Sequence, residues 1–214
     1  MIVYRIYASI VAILTLLVMT PLTTVSAAAE PLRLVALGDS LTAGLGLEAG
    51  DAYPAKLQAA LAKLGIEVTI DNAGVSGDTT DGGLARLDWS VPDGTKAVLL
   101  ELGANDMLRG LDPKLARANL AAMLQRLKER KIPVLLMGMR AAPNLGADYQ
   151  KAFDAIYPDL ANQYGAELYP FFLDGVAGTP GLNQADGMHP TAAGADVIVA
   201  RLTPVVAEFV RKLR

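Results

Sequence analysis

The sequence contains no cysteine and a single histidine, and these two scarcities narrow the chemistry more than any abundance does. Without thiols there is no disulfide framework and no thiolate metal site, so the fold must rest on packing whichever compartment the chain enters. One imidazole leaves carboxylates almost alone as metal ligands, a poor supply for zinc or iron, and no metal or other cofactor is expected. Excess positive charge is missing as well. Nineteen Lys and Arg face twenty-two Asp and Glu, a net charge of −3, which offers no basic surface for phosphates and no reason to expect a nucleic-acid partner. Internal repeats, low-complexity stretches and linkers rich in Gly, Pro and Ser are also lacking, so a single domain is expected.

The one long apolar run stands at the start. Arg5 is the only charge in residues 1–29, and after it come apolar residues from Ala8 to Met19, then Thr20-Pro21 and the small-residue stretch Ser26-Ala27-Ala28-Ala29. This is the layout of a secretory signal peptide, with cleavage expected after Ala27, Ala28 or Ala29. The apolar core is shorter than the roughly 20 residues that span a bilayer. Residues 30–214 are then the exported domain, periplasmic or secreted, monomeric and without a stable membrane anchor. No cysteine follows the apolar run to carry a lipid.

Within that domain, short apolar runs alternate with helical patterns. Leu32 to Leu37, Ile66 to Ile70, Ala97 to Leu102, Pro133 to Met137 and Ala166 to Tyr169 read as five buried strands, and such strands separated by amphipathic helices predict a parallel sheet covered on both faces, a three-layer α/β/α sandwich. The clearest helix spans Asp112 to Lys131, with Asp112 as N-cap, Pro113 at the first position, and Leu120, Met123, Leu124 and Leu127 on one face. The last helix is expected from about Thr191 to Leu213, kinked at Pro204, which removes an amide donor. In open parallel sheets, ligands bind beyond the carboxyl ends of the strands.

Chemistry-bearing residues collect at those ends. Gly38-Asp39-Ser40-Leu41 follows the first strand and places a serine at a helix N-terminus, where free amides can hold an oxyanion. The lone histidine lies in Asp186-Gly187-Met188-His189-Pro190, with an aspartate near enough in a turn to fix its tautomer, as the base of a serine nucleophile requires. Asn72 to Asp78 and Gly103-Ala104-Asn105-Asp106 follow the second and third strands, so the Gly77 amide and the Asn105 side chain are candidate oxyanion donors. Each piece alone has a plain alternative as an ordinary turn or cap. Other patterns fall short: Gly74-Val75-Ser76-Gly77 is one residue short of a G-x-S-x-G elbow, and Gly44, Gly46 and Gly50 miss the dinucleotide spacing. Asp39, Asp78, Asp106 and Asp186 offer a weaker glycosidase reading.

Taken together, Gly38-Asp39-Ser40-Leu41, Gly77, Gly103-Ala104-Asn105-Asp106 and Asp186-Gly187-Met188-His189 resemble the four blocks of SGNH (GDSL) hydrolases. Ser76 to Thr80, Gly83 to Leu87, Met107 to Gly110 and Ala155 to Pro158 are similar to the bacterial periplasmic multifunctional thioesterase, arylesterase and lysophospholipase subgroup. The resemblance implies a flavodoxin-like fold and a serine hydrolase of esters and thioesters. It implies Ser40 as nucleophile, His189 as base, Asp186 as its partner, and an oxyanion hole from Ser40, Gly77 and Asn105. Substrate contacts are implied for Asp39, Met107, Leu108 and Arg109, and the implied ligand is a small ester or thioester with an acyl chain. Two positions depart from common relatives, Ala104 in place of Gly and Met188 before the histidine. The alternatives are a non-catalytic periplasmic binding protein on the same fold and a carbohydrate esterase.

Overall fold

The computed structural model describes residues 31–213, and the expected signal segment lies outside them. Five parallel strands form the middle layer: β1 (Leu32–Gly38), β2 (Val68–Gly74), β3 (Ala97–Glu101), β4 (Val134–Met137) and β5 (Glu167–Tyr169), in the spatial order β2-β1-β3-β4-β5. The chain winds one way from β1 to β2 and the other way from β3 onward, the flavodoxin-like order, so the switch point falls between β1 and β3. Strands β3 and β4 are wholly buried, which is why they read as unbroken apolar runs.

The second strand differs from the sequence expectation. It starts at Val68 and runs on through Asp71 and Asn72 to Gly74, because it is an edge strand whose later residues are only partly covered. Polar side chains there are used locally. Asn72 Nδ2 donates to the Thr42 carbonyl at 2.9 Å, and Asp71 pairs with Arg33 at 2.6 Å.

Helices α1 (Ser40–Ala43) and α2 (Tyr53–Ala62) follow β1, and α3 (Thr80–Ala85) and α4 (Leu87–Ser90) follow β2. After β3 come α5 (Ala104–Leu108) and α6 (Pro113–Glu129), and after β4 come α7 (Ala147–Asp154) and α8 (Ile156–Tyr164). The long α9 (Ala192–Arg211) ends the chain's regular structure and continues through Pro204. Helices α2 and α9 pack together on one face of the sheet, and α3 and α8 flank α6 on the other. In α6 the Asp112 carboxylate accepts from the Lys114 amide at 2.9 Å. Leu120, Met123, Leu124 and Leu127 are buried, and each such side chain contributes about 1.5–3 kcal/mol.

The strand register sets one level across the sheet. Gly74 pairs with Gly38, Gly38 with Glu101, Glu101 with Met137 and Met137 with Tyr169. Every strand therefore releases its loop at the same height.

Candidate active site

Ser40, Gly77, Asn105, Arg140 and Phe171 each follow that row by two to four residues, so five loops open onto one edge. The turn after β1 has no spare volume. A Cβ on Gly38 would strike Thr42 Oγ1 and Glu101 Oε2, and glycine is needed for that close approach. Asp39 caps α1, its Oδ1 accepting from the Leu41 amide at 3.0 Å, and Ser40 is presented in the first turn of that short helix.

The Ser40 hydroxyl lies 2.8 Å from His189 Nε2, and His189 Nδ1 lies 2.6 Å from Asp186 Oδ2. An Nδ1 proton donated to Asp186 leaves Nε2 as the acceptor for the serine proton. Asp186 also holds the loop itself, because its Oδ1 accepts from the amides of Met188 at 2.8 Å and His189 at 3.0 Å. The amides of His189 and Met188, and then the imidazole, draw the Asp186 carboxyl down to about 2. Gln184 splints this loop to the nucleophile loop, its Nε2 donating to the carbonyls of Leu45 at 2.7 Å and Pro190 at 2.9 Å.

Gly77 and Asn105 line the cavity beside Ser40. Gly77 sits at φ +86°, in the left-handed region, and Arg109 Nη2 donates to its carbonyl at 2.7 Å. Asn105 Nδ2 donates to Asp39 Oδ2 at 3.1 Å, which turns the amide and leaves its second N–H available. Arg86 ties the loops together, donating to the carbonyls of Gly38 and Ala73, each at 2.8 Å, and pairing with Asp78 at 2.6 Å. The buried Asp106 accepts from the Thr80 amide at 2.8 Å and hydroxyl at 2.6 Å.

Beneath the serine lie two carboxyls with no exposed surface, Asp39 and Glu101. Thr42 Oγ1 donates to Glu101 Oε2 at 2.7 Å, while Glu101 Oε1 has no partner among the described residues. Burial raises Asp39 to about 6, against the opposing pull of the Leu41 amide, Asn105, the His189 charge and Glu101. Burial, reinforced by the nearby Asp39, lifts Glu101 well above the carboxylate range. The pair is thus held short of double ionisation.

A cavity of about 630 Å³ opens from Ser40, walled mostly by aliphatic, methionine and aromatic side chains. Met107 and Leu108 line it. Asp39 and Arg109 are not among its wall residues: the first is buried below as cap and Asn105 acceptor, the second is spent on the Gly77 carbonyl. Met139, Arg140, Ala141, Phe171 and Leu173 form wall that the sequence motifs did not indicate. They carry no pattern of their own, and only their position after the fourth and fifth strands points to them.

The family model for the GDSL-like lipase/acylhydrolase family matches residues 36–197. The chain is 42% identical over 186 residues to esterase TesA of Pseudomonas aeruginosa, covering 86% of this chain and 92% of that one. It is 40% identical over 186 residues to thioesterase 1/protease 1/lysophospholipase L1 of Escherichia coli, covering 85% and 87%. The crystal structure of AlinE4, an SGNH-hydrolase family esterase, superposes with a TM-score of 0.73 at 53% identity, covering 85% of this chain and 97% of that one. With the matched span including the nucleophile turn and both glycine loops, this chain belongs to the GDSL-like lipase/acylhydrolase family of enzymes that hydrolyse ester bonds.

Proposed function

We propose that the protein is an exported serine esterase and thioesterase that works through an acyl-enzyme on Ser40. The observation that carries this reading is the unbroken chain from Ser40 Oγ to His189 Nε2 at 2.8 Å, and from His189 Nδ1 to Asp186 Oδ2 at 2.6 Å, at the wall of an apolar cavity. In the proposed cycle Ser40 Oγ attacks the acyl carbon while His189 Nε2 takes its proton, and Asp186 stabilises the imidazolium. The oxyanion receives the amides of Ser40 and Gly77 and the free N–H of Asn105. His189 then returns the proton to the departing alcohol or thiol. Water, deprotonated by the same nitrogen, releases the carboxylic acid and restores Ser40. Acyl chains fit the cavity wall, and aryl esters, acyl thioesters and lysophospholipids are the substrate types proposed. Removal of residues 1–29 during export, and a monomeric mature protein, belong to the same reading.

The test is a hydrolysis panel on the mature protein, spanning acyl length and leaving group. Nitrophenyl esters of short acids should release nitrophenol, and Ser40→Ala should lower the rate on the order of 10³-fold or more. A variant that kept most of the activity would refute the mechanism, and a wild type that bound esters without turnover would favour a binding protein. The mass of protein recovered after export should correspond to a chain starting after Ala27, Ala28 or Ala29.

A further inference from the structure

Among the described residues the cavity wall has two ionisable side chains, His189 and Arg140. His189 is engaged with Ser40 and Asp186. Arg140 has no carboxylate or carbonyl partner among the described residues. The other described arginines each reach a carboxylate or a backbone carbonyl, whereas the Arg140 guanidinium rests on an aromatic face, 5.1 Å from the centroid of Phe171, itself a wall residue. Such stacking holds a cation loosely and leaves its N–H edge open.

The backbone around it is fixed. Gly138 exchanges hydrogen bonds with the segment after β5, its amide donating to Tyr169 O and its carbonyl accepting from the Phe172 amide, both at 2.8 Å. On the other side the Ala141 amide donates to Asp154 Oδ1 at 2.8 Å, which anchors the residue that follows Arg140. A cation is thus carried to the cavity by an anchored segment, with no salt-bridge partner among the described residues.

An apolar acyl chain gains nothing from such a group, and covering it would remove water from an unpaired charge at a cost. A substrate that brings its own anion turns that cost into a charge-assisted, two-pronged hydrogen bond, for which the guanidinium fork suits phosphate and carboxylate alike. Resting on the hydrolase reading above, we propose that Arg140 is a specificity-determining residue that binds an anionic group, phosphate or carboxylate, on the ester occupying the cavity.

Matched ester pairs test this. In one pair the acyl chain ends in a carboxylate or in a methyl group. In the other, the leaving group does or does not bear a carboxylate. Arg140→Gln should lower kcat/KM for the charged member of at least one pair by about fivefold, chiefly through KM, with the neutral member changed less than about twofold. Arg140→Lys should retain part of the preference, and about 0.5 M salt should erode it in the wild type. Equal losses on charged and neutral esters, or none on either pair, would overturn the proposal. Calorimetry on Ser40→Ala protein separates it from the hydrolase reading. Decyl phosphate should bind more tightly than decanol, and the added Arg140→Gln change should erase that difference. Phosphate binding that depended on Arg140 in a protein without esterase activity would sink only the hydrolase reading. Ester hydrolysis indifferent to Arg140 would sink only the anion site.

Discussion

Asp39 and Asp186 serve the same serine from opposite surroundings. Asp39 lies under the nucleophile turn with no exposed surface, beside a second buried carboxyl, and its affinity for a proton rises to about 6. Asp186 stands behind the histidine with its side chain 39% exposed, accepts two amides and an imidazole N–H, and falls to about 2. In the floor, desolvation outweighs the hydrogen bonds; at the rim, with water still present, the hydrogen bonds decide. The floor therefore fixes geometry, and the rim keeps an anion where the proposed cycle forms an imidazolium.

The contrast is broken most severely at the rim. Asp186→Asn keeps the shape but offers His189 the wrong partner for its tautomer, so kcat/KM should fall on the order of 10³-fold while the unfolding midpoint moves little. A loss below about tenfold would show that Asp186 does not orient the base. In the floor the expectation is reversed. Glu101→Ala should cost about 2–4 kcal/mol in denaturant unfolding, from the void and the stranded Thr42 hydroxyl, whereas Glu101→Gln should stay within about 1 kcal/mol of wild type because glutamine is neutral, as burial keeps Glu101, and its amide oxygen can still accept from Thr42. If alanine were as well tolerated as glutamine, the floor would not be a packed polar unit.

Titration sharpens the same comparison. Asp39 is raised in the folded protein from 3.8 to about 6, so its contribution is fully present below about pH 4 and is lost as pH rises through 6. By linkage the loss is about 2–3 kcal/mol. Asp39→Asn should flatten the stability profile across that window, at the expense of activity, because an asparagine has one accepting atom where Asp39 uses two, Oδ1 for the Leu41 amide and Oδ2 for Asn105. Asp186 has the opposite sign. Its folded value lies below 3.8, so its contribution is present above that pH and disappears as pH falls through 2. Being exposed, it should move the acid unfolding midpoint least of all, and Asp186→Asn should shift that midpoint only slightly.

Much of this architecture is legible in the sequence because it is local. Asp112 followed by Pro113 is a local helix-start signal, and the spacing of Leu120, Met123, Leu124 and Leu127 marks the buried face. The start of β2 lies two residues beyond Ile66, whose apolar side chain is buried ahead of the strand, and its second half is concealed by Asp71 and Asn72 because an edge strand need not be apolar. The loop after β3 showed Asn105 plainly, but not that its amide is aimed by Asp39, a contact between residues 66 apart in the chain.

What the sequence alone determined is the set of reactive types and their order: one histidine, the aspartate three residues before it, a serine after a glycine turn, and alternating strands and helices that force a parallel sheet. Those follow from chain-local rules of turns, caps and periodicity. Only the tertiary structure decided which groups share a medium. Burial separated Asp39 and Glu101 from Asp186, the common strand level brought Ser40 within 2.8 Å of His189, and the ends of β4 and β5 set Arg140 against Phe171 at the cavity. Dielectric surroundings and long-range contacts are properties of the packed molecule, and no spacing along a chain encodes them directly.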